Sequence, residues 1–332
     1  MGGRARAWPD GPVYHVPSAM GMTWDVVIVG GGPAGLSAAI YAPRAGLSAL
    51  LVEESVPGGQ LLEAPAIENY PGFTESISGI ELAERMRAQA ERLGAQFQAA
   101  RATGLARRNG EWVLATSAGE ARARAVIAAT GARPKELPAR GAKERVGRGI
   151  SYCAVCDGYF FRGKEVLVVG AGDGAFTEVL HLSHLCTRVY VAVRRPQGDR
   201  GAIRAKEALR DQVLSQPNVE VLWNVVVDEV RGEGRVEEVV LQDLATGERR
   251  SLPVDGVFVK IGWKPNTDWL RGALDLTEGG YVRTDSLMRT DRAGLFAAGD
   301  VRDPTGRRAQ AVVAAAEGAL AALSAEGYTR SL

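Results

Sequence analysis

The chain has 332 residues, a formal net charge of +1, 41 glycines and only 3 cysteines. That length supports two domains, each with its own core. Balanced charge argues against general electrostatic binding to nucleic acid or an anionic membrane, and so few cysteines exclude a disulfide-stapled secreted scaffold.

No apolar run reaches the roughly 18 residues that a membrane helix needs. The first 21 residues carry Arg4 and Arg6 with no apolar stretch behind them, and Pro9, Pro12 and Pro17 break any helix there. Residues 1–21 are therefore expected to be a disordered extension, with Met20 or Met22 a candidate natural start. Nothing in them resembles a targeting signal, so the expected location is the cytoplasm.

Residues 24–29 form a short apolar run of the kind a buried parallel strand shows. It leads into Gly30-Gly31-Gly32-Pro33-Ala34-Gly35 and then a helical pattern. This is G-x-G-x-x-G in the context that gives it meaning. The first glycine makes the turn, the second lets backbone approach a pyrophosphate, and the third lets the helix pack on the strand. A second strand over 48–52 ends at Glu53, where a carboxylate is expected to receive a ribose hydroxyl, with Glu54 beside it as a competitor. Two turn-rich loops follow, one with Gly58, Gly59, Gln60 and Leu61, the other with Asn69, Tyr70, Pro71 and Gly72. Alone they read as surface loops. A helix is predicted over 80–93 with Gly94 as its stop. A strand over 125–129 then reaches Thr130-Gly131-Ala132, small enough to let a ligand come close.

The centre of the chain is Cys153-Ala154-Val155-Cys156-Asp157-Gly158. Two thiols at this spacing close a small disulfide ring, and the adjoining carboxyl is placed to pass protons. By itself the motif fits a redox pair and half of a metal site equally well. A zinc cluster of Cys153, Cys156, His181, His184 and Cys186 has the wrong spacing, so no metal is expected.

The second half repeats the theme. A strand over 165–169 precedes Gly170-Ala171-Gly172-Asp173-Gly174-Ala175 and a helix over 176–185. The next strand, 189–193, ends in Arg194 and Arg195 where an acid would serve a hydroxyl, with Arg200 and Arg204 downstream. Guanidinium forks suit a 2′-phosphate, which favours NADPH over NADH. Two such turns imply two dinucleotides, or a duplication with one site lost. A strand over 255–261, an apolar run over 295–300 ending in Gly299 and Asp300, and an alanine-rich helix over 312–325 complete the chain. Asp300 reads as a ligand for a cofactor hydroxyl or, more plainly, as a helix cap.

Taken in order, these motifs resemble the bacterial low-molecular-weight thioredoxin reductases over almost the whole chain. The likeness rests on the 30–35 turn, Gly58-Gly59-Gln60-Leu61, Asn69-Tyr70-Pro71-Gly72, Ala129-Thr130-Gly131-Ala132, the Cys153-to-Gly158 centre and Ala297-Ala298-Gly299-Asp300. It implies an α/β fold of two Rossmann-like three-layer domains. Residues 22–138 and 263–332 would bind FAD, and an inserted 139–262 would bind NADPH and carry the cysteines. It implies FAD contacts from Gly30, Gly32, Pro33, Ala34, Gly35, Glu53, Gly59, Gln60, Leu61, Asn69, Thr130, Gly131, Gly299, Asp300, Gln310 and Ala311. NADPH would be held by Gly170, Gly172, Asp173, Gly174, Ala175, Arg194, Arg195 and Arg200. Electrons would pass from NADPH through FAD to a disulfide between Cys153 and Cys156. Cys156 would face the flavin, Cys153 would attack the partner's disulfide, and Asp157 would act as acid and base. The partner implied is thioredoxin or a similar protein, the assembly a homodimer, and the inserted domain would turn on hinges near 139 and 262.

The chain departs from that family's pattern in places. Gly174 replaces a Ser, Thr or Ala, the basic cluster is stretched by a few residues, Trp263-Lys264 replaces a Gly-His pair, and the usual Arg-Gln-Ala reads Ala309-Gln310-Ala311 with Arg308 one place earlier. These leave room for another electron donor or for a small-molecule dithiol oxidase, although a working second turn argues against the latter. A ferredoxin–NADP reductase would lack the cysteines, and a flavin-containing redox sensor would not be bleached quickly by NADPH.

Overall fold

The computed structural model describes residues 22–64, 66–305 and 309–332, and of Cys156 the backbone alone. The expected extension at 1–21 and Arg308 lie outside the described residues. The described residues form two compact units, one of those within 22–133 and 264–332, the other Pro134–Trp263.

In the first unit, Thr23–Val29 runs parallel to Ala49–Glu53 on one side and Gly119–Ala128 on the other. The seven-stranded sheet continues outward to Gln96–Ala99 at one edge and through Glu111–Thr116 to Ala102–Arg108 at the other, while Leu295–Ala297 also pairs with Gly119–Ala128. Val26 and Ile28 enter one core and Val27 and Val29 the opposite one. A strand covered on both faces therefore reads as a continuous apolar run. Each such aliphatic side chain contributes about 1.5–3 kcal/mol on burial. Gly119–Ala128 is longer than the 125–129 expected, because its first half alternates exposed and buried residues and escapes a search for apolar runs. Asn109 and Gly110 join two strands with φ of 53° and 86°, the pair of left-handed residues a tight hairpin turn requires.

Helix Pro33–Arg44 packs along helix Ala311–Thr329. The approach is so close that a Cβ on Gly318 would overlap the Ala34 carbonyl oxygen. Helix Gly79–Arg92 begins at Ser78, whose Oγ accepts the Glu81 N–H at 3.1 Å.

The second unit holds a five-stranded parallel sheet in the order Val219–Trp223, Arg188–Val193, Glu165–Val169, Gly256–Val259, Ile150–Ser151. Here too successive residues feed opposite cores, Val166 and Val168 one, Leu167 and Val169 the other. A separate antiparallel sheet of Val225–Arg231, Glu238–Asp243 and Arg249–Pro253 is added to it. The chain passes between units through Ala132–Pro134 and Trp263–Pro265, which pair as a two-stranded ladder. Among the described residues no helix is long and apolar enough to cross a membrane.

Candidate active site

The first glycine turn is built by exclusion. Gly30 takes φ +105°, and a Cβ there would overlap the Ala129 carbonyl. A Cβ on Gly35 would overlap the carbonyl oxygen of Gly30, so only glycine lets the helix start this near the strand. Gly32 is the N-cap and offers no side-chain cap, and Pro33 opens the helix. The first helical N–H groups are thus left for an anion. Glu53 accepts the Gly31 N–H at 2.6 Å through Oε2 and the Ser55 N–H at 3.0 Å through Oε1. The residue expected to meet a hydroxyl therefore also braces the turn. Gly59 approaches from the other side, and a Cβ on it would stand 3.0 Å from the Gly32 Cα.

Residues far apart in sequence converge around this turn. Gln60 Nε2 donates to the Ala132 carbonyl at 3.1 Å and to Asp300 Oδ2 at 3.3 Å, and Asn69 Nδ2 donates to Gln310 Oε1 at 3.0 Å. Thr130 Oγ1 donates to the Asn266 carbonyl at 2.6 Å, and Asn266 Nδ2 returns a bond to the Thr130 carbonyl at 2.9 Å. A cleft of about 370 Å³ is lined by Gly30, Glu53, Thr130, Arg133 and Asn266, among others. Of the residues expected at the ligand, Leu61 and Ala34 have their side chains buried in the core of the unit. The plain alternative for Asp300 does not hold, because the helix begins at Ala311 with Gln310 as its N-cap. Gly299 takes φ +79° and donates its N–H to Glu317 Oε2 at 2.7 Å, while Arg302 meets Glu317 Oε1 at 2.6 Å. Glu317 and Asn266 were not singled out from the sequence. Only its place in an alanine-rich, mostly apolar helix hinted at the first.

At the second turn, Gly170 takes φ +141°, and a Cβ would overlap the Lys260 carbonyl oxygen. A Cβ added to Gly172 or Gly174 would meet nothing within 4 Å, so the mouth of the turn is open. Gly172 caps helix Asp173–Ser183 without a side-chain bond, and Ala175 is buried beneath it. Asp173 turns aside to accept the Lys206 N–H at 2.8 Å. Beside the turn lies a cavity of about 490 Å³ whose walls include Gly170, Ala171, Arg194, Arg195, Arg204 and Lys260. Arg195 is paired with Asp199 at 3.3 Å, and the Arg204 N–H donates to the Ala171 carbonyl at 2.6 Å. Arg204 lines this cavity and Arg200 does not.

The cysteine segment lies in the same unit. Ile150–Ser151 ends the sheet, and Ala154–Asp157 forms one helical turn. Cys153 is disulfide-bonded. The side chain of Cys156 lies outside the described residues. Ser151, buried and not singled out from the sequence, ties the segment together. Its Oγ accepts the Cys153 N–H at 3.0 Å and stands 2.7 Å from Asp157 Oδ2. Val155, Tyr159 and Phe160 around it are 74%, 69% and 71% exposed, an exposed apolar surface. The third cysteine is a different environment. Cys186 is buried, its S–H donates to the Phe161 carbonyl at 3.3 Å, and burial, with Asp255 nearby, pushes its thiol up to about 11. Among the described residues no three His, Cys, Asp or Glu side chains converge on a metal position.

Comparison with known proteins agrees with this geometry. A family described as pyridine nucleotide-disulphide oxidoreductase matches residues 24–318. The chain is 45% identical over 309 residues to a thioredoxin reductase of Treponema pallidum, covering 93% of this chain and 98% of the relative. It is 41% identical to a thioredoxin reductase of Bacillus subtilis, covering 93% and 96%. Among solved structures, thioredoxin reductase of Lactococcus lactis in its FR conformation superimposes with a TM-score of 0.75 at 36% identity, covering 93% of this chain and all of that one.

Proposed function

This chain belongs to the pyridine nucleotide-disulphide oxidoreductase family, and on that premise we propose that it is a thioredoxin reductase, carrying electrons from NADPH through FAD to a disulfide and on to thioredoxin or a similar protein. The observation that carries the reading is the disulfide-bonded Cys153, with the carboxyl of Asp157 held through Ser151, in the unit that also holds the open glycine turn and its arginine-lined cavity.

Division of labour follows the two units. The unit from 22–133 with 264–332 is assigned to FAD. Gly30, Gly32 and Gly35 with Glu53 would hold its phosphates and ribose, and Gln60, Asn69, Thr130, Gly131, Asp300 and Gln310 the remainder. The cradle fits such a group, because Gly32 and Gly59 face each other where side chains would fill the gap. Bound there, FAD supplies a centre that takes up hydride and passes on two electrons. The unit 134–263 is assigned to NADPH, with Gly172 and Gly174 admitting the pyrophosphate and Arg194, Arg195 and Arg204 the 2′-phosphate.

For the disulfide step the residues act as follows. Two electrons open the disulfide to one thiol and one thiolate. Asp157, oriented by Ser151, exchanges the proton that decides which sulfur is charged. The Cys153 thiolate then attacks a sulfur of the partner's disulfide, expelling the other sulfur as a thiolate. Cys156 resolves the mixed disulfide and restores the starting bond, leaving the partner as a dithiol. Val155, Tyr159 and Phe160 would receive the apolar surface around the partner's disulfide. We assign the protein to the cytoplasm and expect a homodimer.

The test is direct. With thioredoxin as the probe, NADPH should be consumed and two thiols should appear on thioredoxin for each NADPH oxidised. Consumption of NADPH with oxygen alone, and no thiols on thioredoxin, would point to an oxidase.

A further inference from the structure

Burying a carboxylate is costly unless it is paired and hydrogen-bonded, and among the described residues two glutamates are more than nine-tenths buried, Glu317 and Glu178. Glu317 has both oxygens engaged, by the Gly299 N–H and by Arg302. Glu178 does not. Its Oε1 lies 2.6 Å from Lys260 Nζ, and its Oε2 is buried without a hydrogen-bond partner.

The placement of this pair is specific. Glu178 stands on helix Asp173–Ser183, which starts at the open glycine turn. Lys260 follows strand Gly256–Val259, and it forms part of the wall of the 490 Å³ cavity. The turn Ala154–Asp157, which begins directly after Cys153, packs on this helix, and a Cβ on Gly158 would stand 3.6 Å from His181 Cδ2. Burial pushes the Glu178 carboxyl up, and Lys260, with His181 one turn along the helix, opposes that shift. Ala154 is fully buried, and its segment packs on the Glu178 helix. The other titratable groups beside the cysteine segment are Asp157, engaged by Ser151, and Glu136, whose charge acts on Tyr152.

We propose that the Glu178/Lys260 ion pair is a positioning element whose mutual neutralisation sets how readily the reduced Cys153-to-Cys156 segment forms a thiolate. The role rests on reading that segment as the redox centre. A carboxylate behind Ala154 opposes a thiolate, and the ammonium beside it cancels the effect. Removing one member leaves an uncompensated charge in a medium of low polarity, which moves a nearby titration by about one pH unit.

The experiment uses the FAD-loaded protein, reduced with dithiothreitol and freed of it, and follows alkylation by iodoacetamide against pH. Cys186 stays silent in the accessible range because it is buried and titrates near 11. Glu178→Gln should lower the alkylation midpoint by about one pH unit and raise the rate about tenfold below it. Lys260→Met should raise the midpoint, and the double variant Glu178→Gln with Lys260→Met should return it to the wild-type value. Should Glu178→Gln fail to fold, Lys260→Met decides alone. An unmoved midpoint in either single variant, or no return in the double, overturns the proposal, since a purely structural clamp would change thermal stability and leave the thiol titration in place. Failure of the reductase reading shows elsewhere, as wild-type protein that does not reduce thioredoxin with NADPH.

Discussion

At the first glycine turn the Gly31 amide is held by the Glu53 carboxylate at 2.6 Å, and at the second the Ala171 carbonyl is held by the Arg204 amide at 2.6 Å. Both turns follow a parallel strand and open a helix, and in both the first glycine has a positive φ and a carbonyl where a Cβ would go. They part at the far end. A Cβ on Gly35 would overlap the turn itself, whereas the corresponding place in the second turn is filled by Ala175, whose side chain is buried. An acid ends the next strand in the first unit, and two guanidiniums end it in the second. One backbone geometry thus presents opposite charge. A carboxylate accepts from ribose hydroxyls and repels a 2′-phosphate, while arginine forks attract one.

The largest effect should come from the cysteines. Cys153→Ser is expected to lower NADPH-dependent thioredoxin reduction by about a thousandfold or more while FAD stays bound, as measured by steady-state turnover and flavin content. Next come two glycines at helix starts, one blocked and one open. Gly35→Ala should destabilise the protein by about 3 kcal/mol and release flavin. Gly174→Ala should be neutral or stabilising by about 0.5–1 kcal/mol, because an alanine in an open helical position lowers the entropy of the unfolded chain. Chemical denaturation of both variants compares the blocked site with the open one, and equal losses would remove the distinction. Charge comes third. Arg194→Ala combined with Arg195→Ala should raise the KM for NADPH about tenfold and the KM for NADH no more than twofold. Equal increases would mean that these arginines do not read the 2′-phosphate.

The smallest effect concerns pH. The Glu178 carboxyl is raised above its ordinary 4.5 in the folded protein, mainly by burial. Between those two values the folded state holds the proton more tightly than the unfolded state. Stability should therefore fall as pH rises through that window. Glu178→Gln should flatten this part of the stability curve, whatever it does to overall stability.

Much of this was legible in the sequence because the glycine turns depend on local spacing. Strand, turn and helix follow within about 20 residues in each unit, so sterics that forbid a side chain are visible as glycines. Contacts across the chain were not legible. Gln60 and Asp300 are 240 residues apart, as are, within one residue, Asn69 and Gln310. Asp300 was read from its place after an apolar run, but the expectations for Gln60, Asn69 and Gln310 came from the order of motifs in a family, never from their spacing. Ser151 looks like an ordinary strand residue until the fold sets its hydroxyl between Cys153 and Asp157. Glu178 and Glu317 look like helix-surface acids, because helical periodicity does not say which polar residue will be buried against a cation. Arg204 was visible only as one of several arginines, and a loop conformation decides that it, and not Arg200, faces the cavity. The antiparallel sheet beginning at Val225 also went unread, since its strands mix exposed and buried residues.

The most direct measurement is anaerobic mixing of the FAD-loaded protein with NADPH and, separately, NADH, followed at the flavin absorbance, with oxidised thioredoxin added afterwards. Fast bleaching by NADPH, slow bleaching by NADH and recovery of the colour on adding thioredoxin are the expected results. A flavin that dithionite and a dithiol reduce but NADPH does not would contradict the assignment of the second unit to NADPH, and with it the reductase.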